Sequence, residues 1–120
     1  MANIMVVDDE ESLRELVAAI FSSSGDHVTA ASSGQECLDM LEREKPDIIL
    51  MDMMMPGMSG RETTEKIRQS PAGKNLKIAF LTVARFSETG KDALEKLDVL
   101  DYITKPFDND ELVRRVKRLL

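Results

Sequence analysis

An α/β domain built on a parallel five-stranded sheet, with helices on both faces, is the fold class that this 120-residue sequence predicts. Three observations predict it. Short apolar runs alternate with helix-period patterns from one end of the chain to the other. Two of the runs, Ile4-Met5-Val6-Val7 and Ile48-Ile49-Leu50-Met51, are unbroken, as strands buried on both faces are. Five strands alternating with five helices imply right-handed crossovers, hence a doubly wound (βα)5 arrangement.

Ile4-Met5-Val6-Val7 is the first strand. Leu13, Leu16, Val17 and Ile20 then recur at helical spacing until Ser22-Ser23-Ser24-Gly25 ends the helix. Val28-Thr29-Ala30 makes a weaker strand. Leu38, Met40 and Leu41 mark a second helix, stopped by Lys45-Pro46 because proline disfavours helical geometry in the residue before it. After the third strand, Ile48 to Met51, residues 53–59 form a loop punctuated by Pro56 and Gly57. A helix over about 60–69 follows and is broken by Ser70-Pro71-Ala72-Gly73. Ile78-Ala79-Phe80-Leu81 is the fourth strand. A helix over roughly 87–96 carries Ala93, Leu94 and Leu97 on one side, and Tyr102-Ile103-Thr104 completes the strand set. Asp108 or Asn109 can cap the last helix, whose apolar stripe is Leu112, Val113, Val116, Leu119 and Leu120.

The length fits one compact domain over residues 1–120, large enough to fold without disulfides or a structural metal. A net charge of −6 argues against a nucleic-acid footprint, which needs a basic face. Cys37 is the single cysteine, so no internal bridge forms, and no Cys/His cluster has zinc spacing. No apolar run approaches the roughly 20 residues that span a bilayer. Met1-Ala2-Asn3-Ile4 lacks the basic and apolar regions of a signal peptide. The expectation is a reduced, soluble, cytoplasmic domain.

In open parallel sheets, ligands bind beyond the carboxyl ends of the strands. The residues at those ends are Asp8 and Asp9, Asp52, Thr82 and Lys105. Each has an ordinary reading on its own. An acidic pair before a helix favours its positive end, an Asp after a strand is a turn or cap residue, a Thr is common in strands, and Lys105-Pro106 is a strand exit. All five at successive strand ends form one rim of three carboxylates, a hydroxyl and an ammonium. Crowded carboxylates repel unless a cation compensates, and Mg²⁺ suits one or two carboxylates with phosphate oxygens. Phosphoryl transfer to Asp52 is the chemistry this serves, with Mg²⁺, Lys105 and Thr82 each holding a phosphoryl oxygen.

Other notable residues take plain readings. Met51, Met53, Met54, Met55 and Met58 are core and loop packing. His27 is a surface residue, and Cys37 is a small buried hydrophobe. Arg114, Arg115, Lys117 and Arg118 sit at a helix carboxyl end, where cations are favoured.

The sequence resembles the receiver domains of response regulators from about Asn3 to Leu120. The resemblance rests on Val6-Val7-Asp8-Asp9-Glu10, Asp47-Ile48-Ile49-Leu50-Met51-Asp52, Met55-Pro56-Gly57-Met58-Ser59-Gly60, Leu81-Thr82 and Tyr102-Ile103-Thr104-Lys105-Pro106-Phe107. It implies a flavodoxin-like strand order, 2-1-3-4-5, and phosphorylation of Asp52 by a sensor histidine kinase or a small phosphodonor. It also implies direct Mg²⁺ ligation by Asp9, Asp52 and the backbone carbonyl of Met54, with Asp8 bound through water. Lys105 pairs with the phosphoryl group, and the Lys105-Pro106 bond is cis. Thr82 and Tyr102 form the switch: Thr82 moves toward the phosphoryl group and Tyr102 rotates inward. That alters the surface of the fourth helix, fifth strand and fifth helix, where receivers dimerise or meet an effector protein or fused output domain. Direct nucleic-acid or membrane binding is not expected, nor catalysis beyond the domain's own phosphorylation and dephosphorylation.

Three positions depart from the family pattern. Val83 stands where the family favours a smaller residue, which narrows access to Asp52. Met54 and Ala84, at positions that tune hydrolysis in relatives, cannot orient an attacking water through a strong hydrogen bond. The expectation is a long-lived phosphoryl group, and decay within seconds would contradict it. Leu97-Asp98-Val99-Leu100 lacks the glycine that often ends the fourth helix. Rival readings fit less well. A haloacid-dehalogenase-type hydrolase needs a second Asp where this chain has Met54, and a flavodoxin needs a phosphate loop where Asp8-Asp9-Glu10-Glu11 would repel phosphate. A pseudo-receiver acting only as an interaction module would lack site residues that are all present here.

Overall fold

The structure, a computed structural model, describes residues 1–83 and 96–120. The described strands are β1 (Asn3–Val7), β2 (His27–Ala31), β3 (Ile48–Asp52), β4 (Ile78–Thr82) and β5 (Asp101–Thr104). They form one parallel sheet in the order β2-β1-β3-β4-β5, as the resemblance implied. The helices among the described residues are α1 (Glu11–Ser23), α2 (Gly34–Met40), α3 (Gly60–Gln69) and the last helix, Asn109–Leu119. The expected helix over 87–96, with Ala93 and Leu94, lies almost wholly outside the described residues, as does Ala84.

Alternation along each strand splits the core in two, because successive side chains point to opposite faces. Ile4, Val6, Ile48, Leu50, Ala79, Leu81 and Ile103 pack against Val17 and Phe21 of α1 and against Leu112 and Val116 of the last helix. On the other face Met5, Val7, Ile49, Met51, Ile78 and Phe80 pack against Cys37 of α2 and Ile67 of α3. β1, β3 and β4 are therefore apolar on both sides, whereas the edge strand β2 is half-exposed. Cys37 is indeed a small buried hydrophobe, and burial pushes its thiol pKa up to about 12. His27 is exposed.

The helix ends follow local chemistry. Ser59 and Glu62 form a reciprocal capping box at the start of α3. Asp108, not Asn109, caps the last helix by accepting from the Glu111 N–H at 3.0 Å. That helix is tied to the amino-terminal edge by Lys117 on the buried Asp26, which also accepts from the Ala2 N–H.

Two expectations need correction. α2 stops at Met40, well before Lys45-Pro46, because the Glu42 and Arg43 N–H groups turn back to the carbonyls of Asp39 and Met40 three residues earlier. Leu120 lies beyond the last helix and is 40% exposed, so it is not part of the buried stripe.

Candidate functional site

Register decides which side chains meet. β1 and β3 are neighbours with Val7 opposite Met51, so the next residues, Asp8 and Asp52, emerge side by side at the carboxyl edge. β4 ends on Thr82, opposite Thr104 of β5, and the Lys105 N–H donates to the Thr82 carbonyl at 2.8 Å. Asp8, Asp9 and Asp52 each place a carboxylate oxygen within 4.8 Å of the others. Asp8 and Asp52 are buried and Asp9 is exposed, so the cluster has a dry floor and a wet lip.

Lys105 reaches into this cluster. Its Nζ donates to Asp8 Oδ2 at 2.7 Å and lies 3.4 Å from Asp52 Oδ1. The other Asp8 oxygen accepts from the Glu10 N–H at 2.8 Å, and Asp52 Oδ1 accepts from the Met54 N–H at 3.2 Å. Burial, with the adjacent Asp8 charge, raises the Asp52 pKa to about 6, against the opposing pull of Lys105 and the Met54 N–H. Burial also disfavours the Lys105 charge, but Asp8 and Asp52 outweigh that and raise its pKa. Among the described residues, one ammonium thus serves two buried carboxylates.

Two residues have supporting roles that the sequence reading did not assign. Gly60 opens α3 directly beneath the acid: a Cβ there would stand 2.2 Å from the Asp52 carbonyl oxygen. The capping spacing Ser59-Gly60-Arg61-Glu62 could have flagged the turn, though not the close approach. Arg14 on α1 donates to the Asp8 carbonyl at 2.8 Å, a contact between residues six apart that no sequence motif marked.

The remaining expected residues are distributed as follows. Thr82 is buried at the end of β4. Tyr102 lies on β5 with its ring edge-on to Phe80, centroids 6.0 Å apart, and packs on the α2–α3 side of the core. The Lys105-Pro106 bond is cis. Met54 and Val83 flank the site on the loops after β3 and β4, and they are 65% and 66% exposed. Met54 is therefore not packing, unlike the buried Met51 and Met55.

A family model described as "Response regulator receiver domain" matches residues 4–117. The chain is 39% identical over 117 residues to the alkaline phosphatase synthesis transcriptional regulatory protein PhoP of Bacillus subtilis, covering 98% of this chain and 48% of that protein. Among solved structures it is similar to the chemotaxis protein CheY4 of Vibrio cholerae, with a TM-score of 0.93, 29% identity and coverage of 100% and 99% of the two chains. It is similar also to the response regulator protein TrrA of Thermotoga maritima in complex with Mg(2+)-BeF, with a TM-score of 0.84, 34% identity and full coverage of both chains. The chain spans about half the length of PhoP and of several other curated relatives.

Proposed function

The chain belongs to the response regulator receiver domain family of two-component signalling, and from that premise we propose that it is a phosphorylation switch whose phosphoryl acceptor is Asp52. One observation carries the reading: three carboxylates from the ends of two adjacent strands converge within 4.8 Å, with Lys105 bridging the two buried ones.

The phosphoryl donor is a phosphohistidine of a sensor histidine kinase, or a small acyl phosphate. An Asp52 oxygen forms the new bond to phosphorus. The bond from phosphorus to the imidazole nitrogen breaks, and its electron pair stays on the ring. Lys105, already 3.4 Å from Asp52, pairs with the incoming negative charge, and the Thr82 hydroxyl donates to a second phosphoryl oxygen. The donor set fits Mg²⁺: hard carboxylate oxygens, crowded within 4.8 Å of one another, with the Asp52 pKa raised by burial and by Asp8. Asp8, Asp9, Asp52 and the backbone carbonyl of Met54 are the groups that would hold it, and it would neutralise charge on the transferring group. Because Lys105 spans Asp8 and Asp52, it must loosen its hold on Asp8 as the phosphoryl group arrives.

Movement of Thr82 and reorientation of Tyr102 then change the surface of the fourth helix, β5 and the last helix. That surface carries the Arg115–Asp101 ion pair and contacts a second copy, an effector protein or a fused output domain. The shift is limited by how much better the altered state binds the phosphoryl group. The domain works in the cytoplasm, does not bind nucleic acid directly, and catalyses only its own phosphorylation and dephosphorylation. No helix among the described residues is long and apolar enough to cross a membrane.

Incubation with acetyl phosphate and Mg²⁺, followed by intact-protein mass measurement, tests this. One phosphoryl adduct on the native chain and none on Asp52→Ala is the expected result. An adduct that survives the substitution, or continuous phosphate release from small esters, would refute it.

A further inference from the structure

The eight methionines are not equally placed. Met5 and Met51 are fully buried, Met55 is nearly so, and Met40, Met53 and Met58 are half-buried. Only Met1 at the amino end and Met54 stand in solvent, Met54 with 65% of its surface exposed. Its backbone N–H donates to Asp52 Oδ1 at 3.2 Å, so this thioether starts from the residue that touches the phosphoacceptor. The side chain is unbranched with three rotatable bonds, and its backbone is anchored beside Asp52.

We propose that Met54 is a reversible oxidation site through which peroxide shortens the life of the phosphoryl group on Asp52. The inference rests on the reading of Asp52 as phosphoacceptor and adds a regulator to that site. The chemistry is an oxygen-atom transfer. Hydrogen peroxide gives one oxygen to the Met54 sulfur, the O–O bond breaks, the sulfur is oxidised by two electrons, and water leaves. A thioether is a poor hydrogen-bond acceptor, whereas a sulfoxide is polar and carries an exposed oxygen. Hydrolysis of a phosphoryl group is governed largely by how the attacking water is oriented. The sulfoxide oxygen of Met54 supplies that orientation. Water then bonds to phosphorus, the Asp52 oxygen–phosphorus bond breaks with its electron pair returning to the carboxylate, and inorganic phosphate departs. Methionine sulfoxide reductases reverse the oxidation, so the effect is a switch and not only damage.

The test uses the full chain, native and Met54→Leu, each treated briefly with hydrogen peroxide. Peptide mass measurement locates the added oxygen, and intact mass follows decay of the acetyl-phosphate adduct. Met54 is expected to gain oxygen ahead of the six more buried methionines, and the native phosphoryl half-life to fall by about threefold or more. Met54→Leu, oxidised at Met1 alone, keeps whatever half-life it had before treatment. Treatment with a methionine sulfoxide reductase restores the native value. Oxidation of Met54 no faster than of the half-buried methionines, an unchanged half-life, or the same fall in Met54→Leu would each overturn the proposal. Should the untreated protein take no phosphoryl group at all, the functional reading itself fails before any oxidant is added, and this inference falls with it.

Discussion

Lys105 Nζ stands 2.7 Å from Asp8 Oδ2, joining residues 97 positions apart in the chain. The Asp8 side chain is fully buried and that of Lys105 is 14% exposed, so the pair is shielded from solvent. Breaking such a pair from one side strands a charge in a low-dielectric setting. Lys105→Met is therefore expected to destabilise the fold by about 3 kcal/mol at pH 7. The loss shrinks by pH 4.5, where Asp52 takes up a proton, and millimolar Mg²⁺ restores part of it. Urea unfolding at the two pH values, with and without Mg²⁺, measures all three effects.

Asp52 gives the opposite sign. Burial first, and then the Asp8 charge, lift its pKa from 3.8 to about 6. A carboxyl with a raised folded-state pKa binds its proton more tightly when folded. Its ionised form therefore costs stability above pH 6, and that cost fades as pH falls toward 3.8. Asp52→Asn is expected to stabilise the metal-free protein by about 1–3 kcal/mol at pH 7 and by almost nothing near pH 4. Denaturant midpoints across that range decide it; a destabilised Asn variant at pH 7 would contradict the electrostatic account.

Gly60 touches the site through what it lacks. A Cβ at this position would meet the Asp52 carbonyl oxygen at 2.2 Å and Met53 Cα at 2.9 Å, both backbone atoms that cannot swing aside. Gly60→Ala is expected to cost about 2 kcal/mol or more and to push α3 away from β3. Phosphorylation by acetyl phosphate should slow in parallel, because the loop from Met53 to Ser59 carries the Met54 N–H that contacts Asp52.

Arg68 binds the carbonyls of Gly73, Lys74 and Leu76 in the loop before β4, and those of Leu97 and Asp98 before β5. Asp98 adopts a left-handed φ of 56° where a glycine would be unstrained. Arg68 thus holds the strained entry to β5 against the rest of the domain. Arg68→Met is expected to lower stability by about 3 kcal/mol, in line with hydrogen bonds from a charged donor. Amide exchange should rise first at residues 97–100.

The strand-end residues were legible because β1 and β3 each hold an unbroken apolar run, Ile4 to Val7 and Ile48 to Met51, and such a run ending in Asp leaves few other readings. Five elements of one sheet also constrain each other's placement. The early end of α2 was not legible: Pro46 announces a stop, but the turn at Leu41 to Arg43 depends on backbone bonds with no residue signature. The exposure of Met54 was hidden for a similar reason. Five methionines between Met51 and Met58 look alike in sequence, and only the path of the loop separates Met55, buried, from its neighbour. The missing glycine before Val99 did signal an irregularity, which the left-handed Asp98 supplies. The arginine that stabilises it, thirty residues upstream, left no trace in local pattern.

The ring of Tyr102 against Phe80 has a practical corollary. The chain has one tyrosine and no tryptophan, so its ultraviolet emission near 300 nm (roughly, for a phenol) comes essentially from a single side chain on β5. Any ligand or modification that repositions that ring can be followed optically in the unlabelled protein, with no reporter to graft and none to mistake for it.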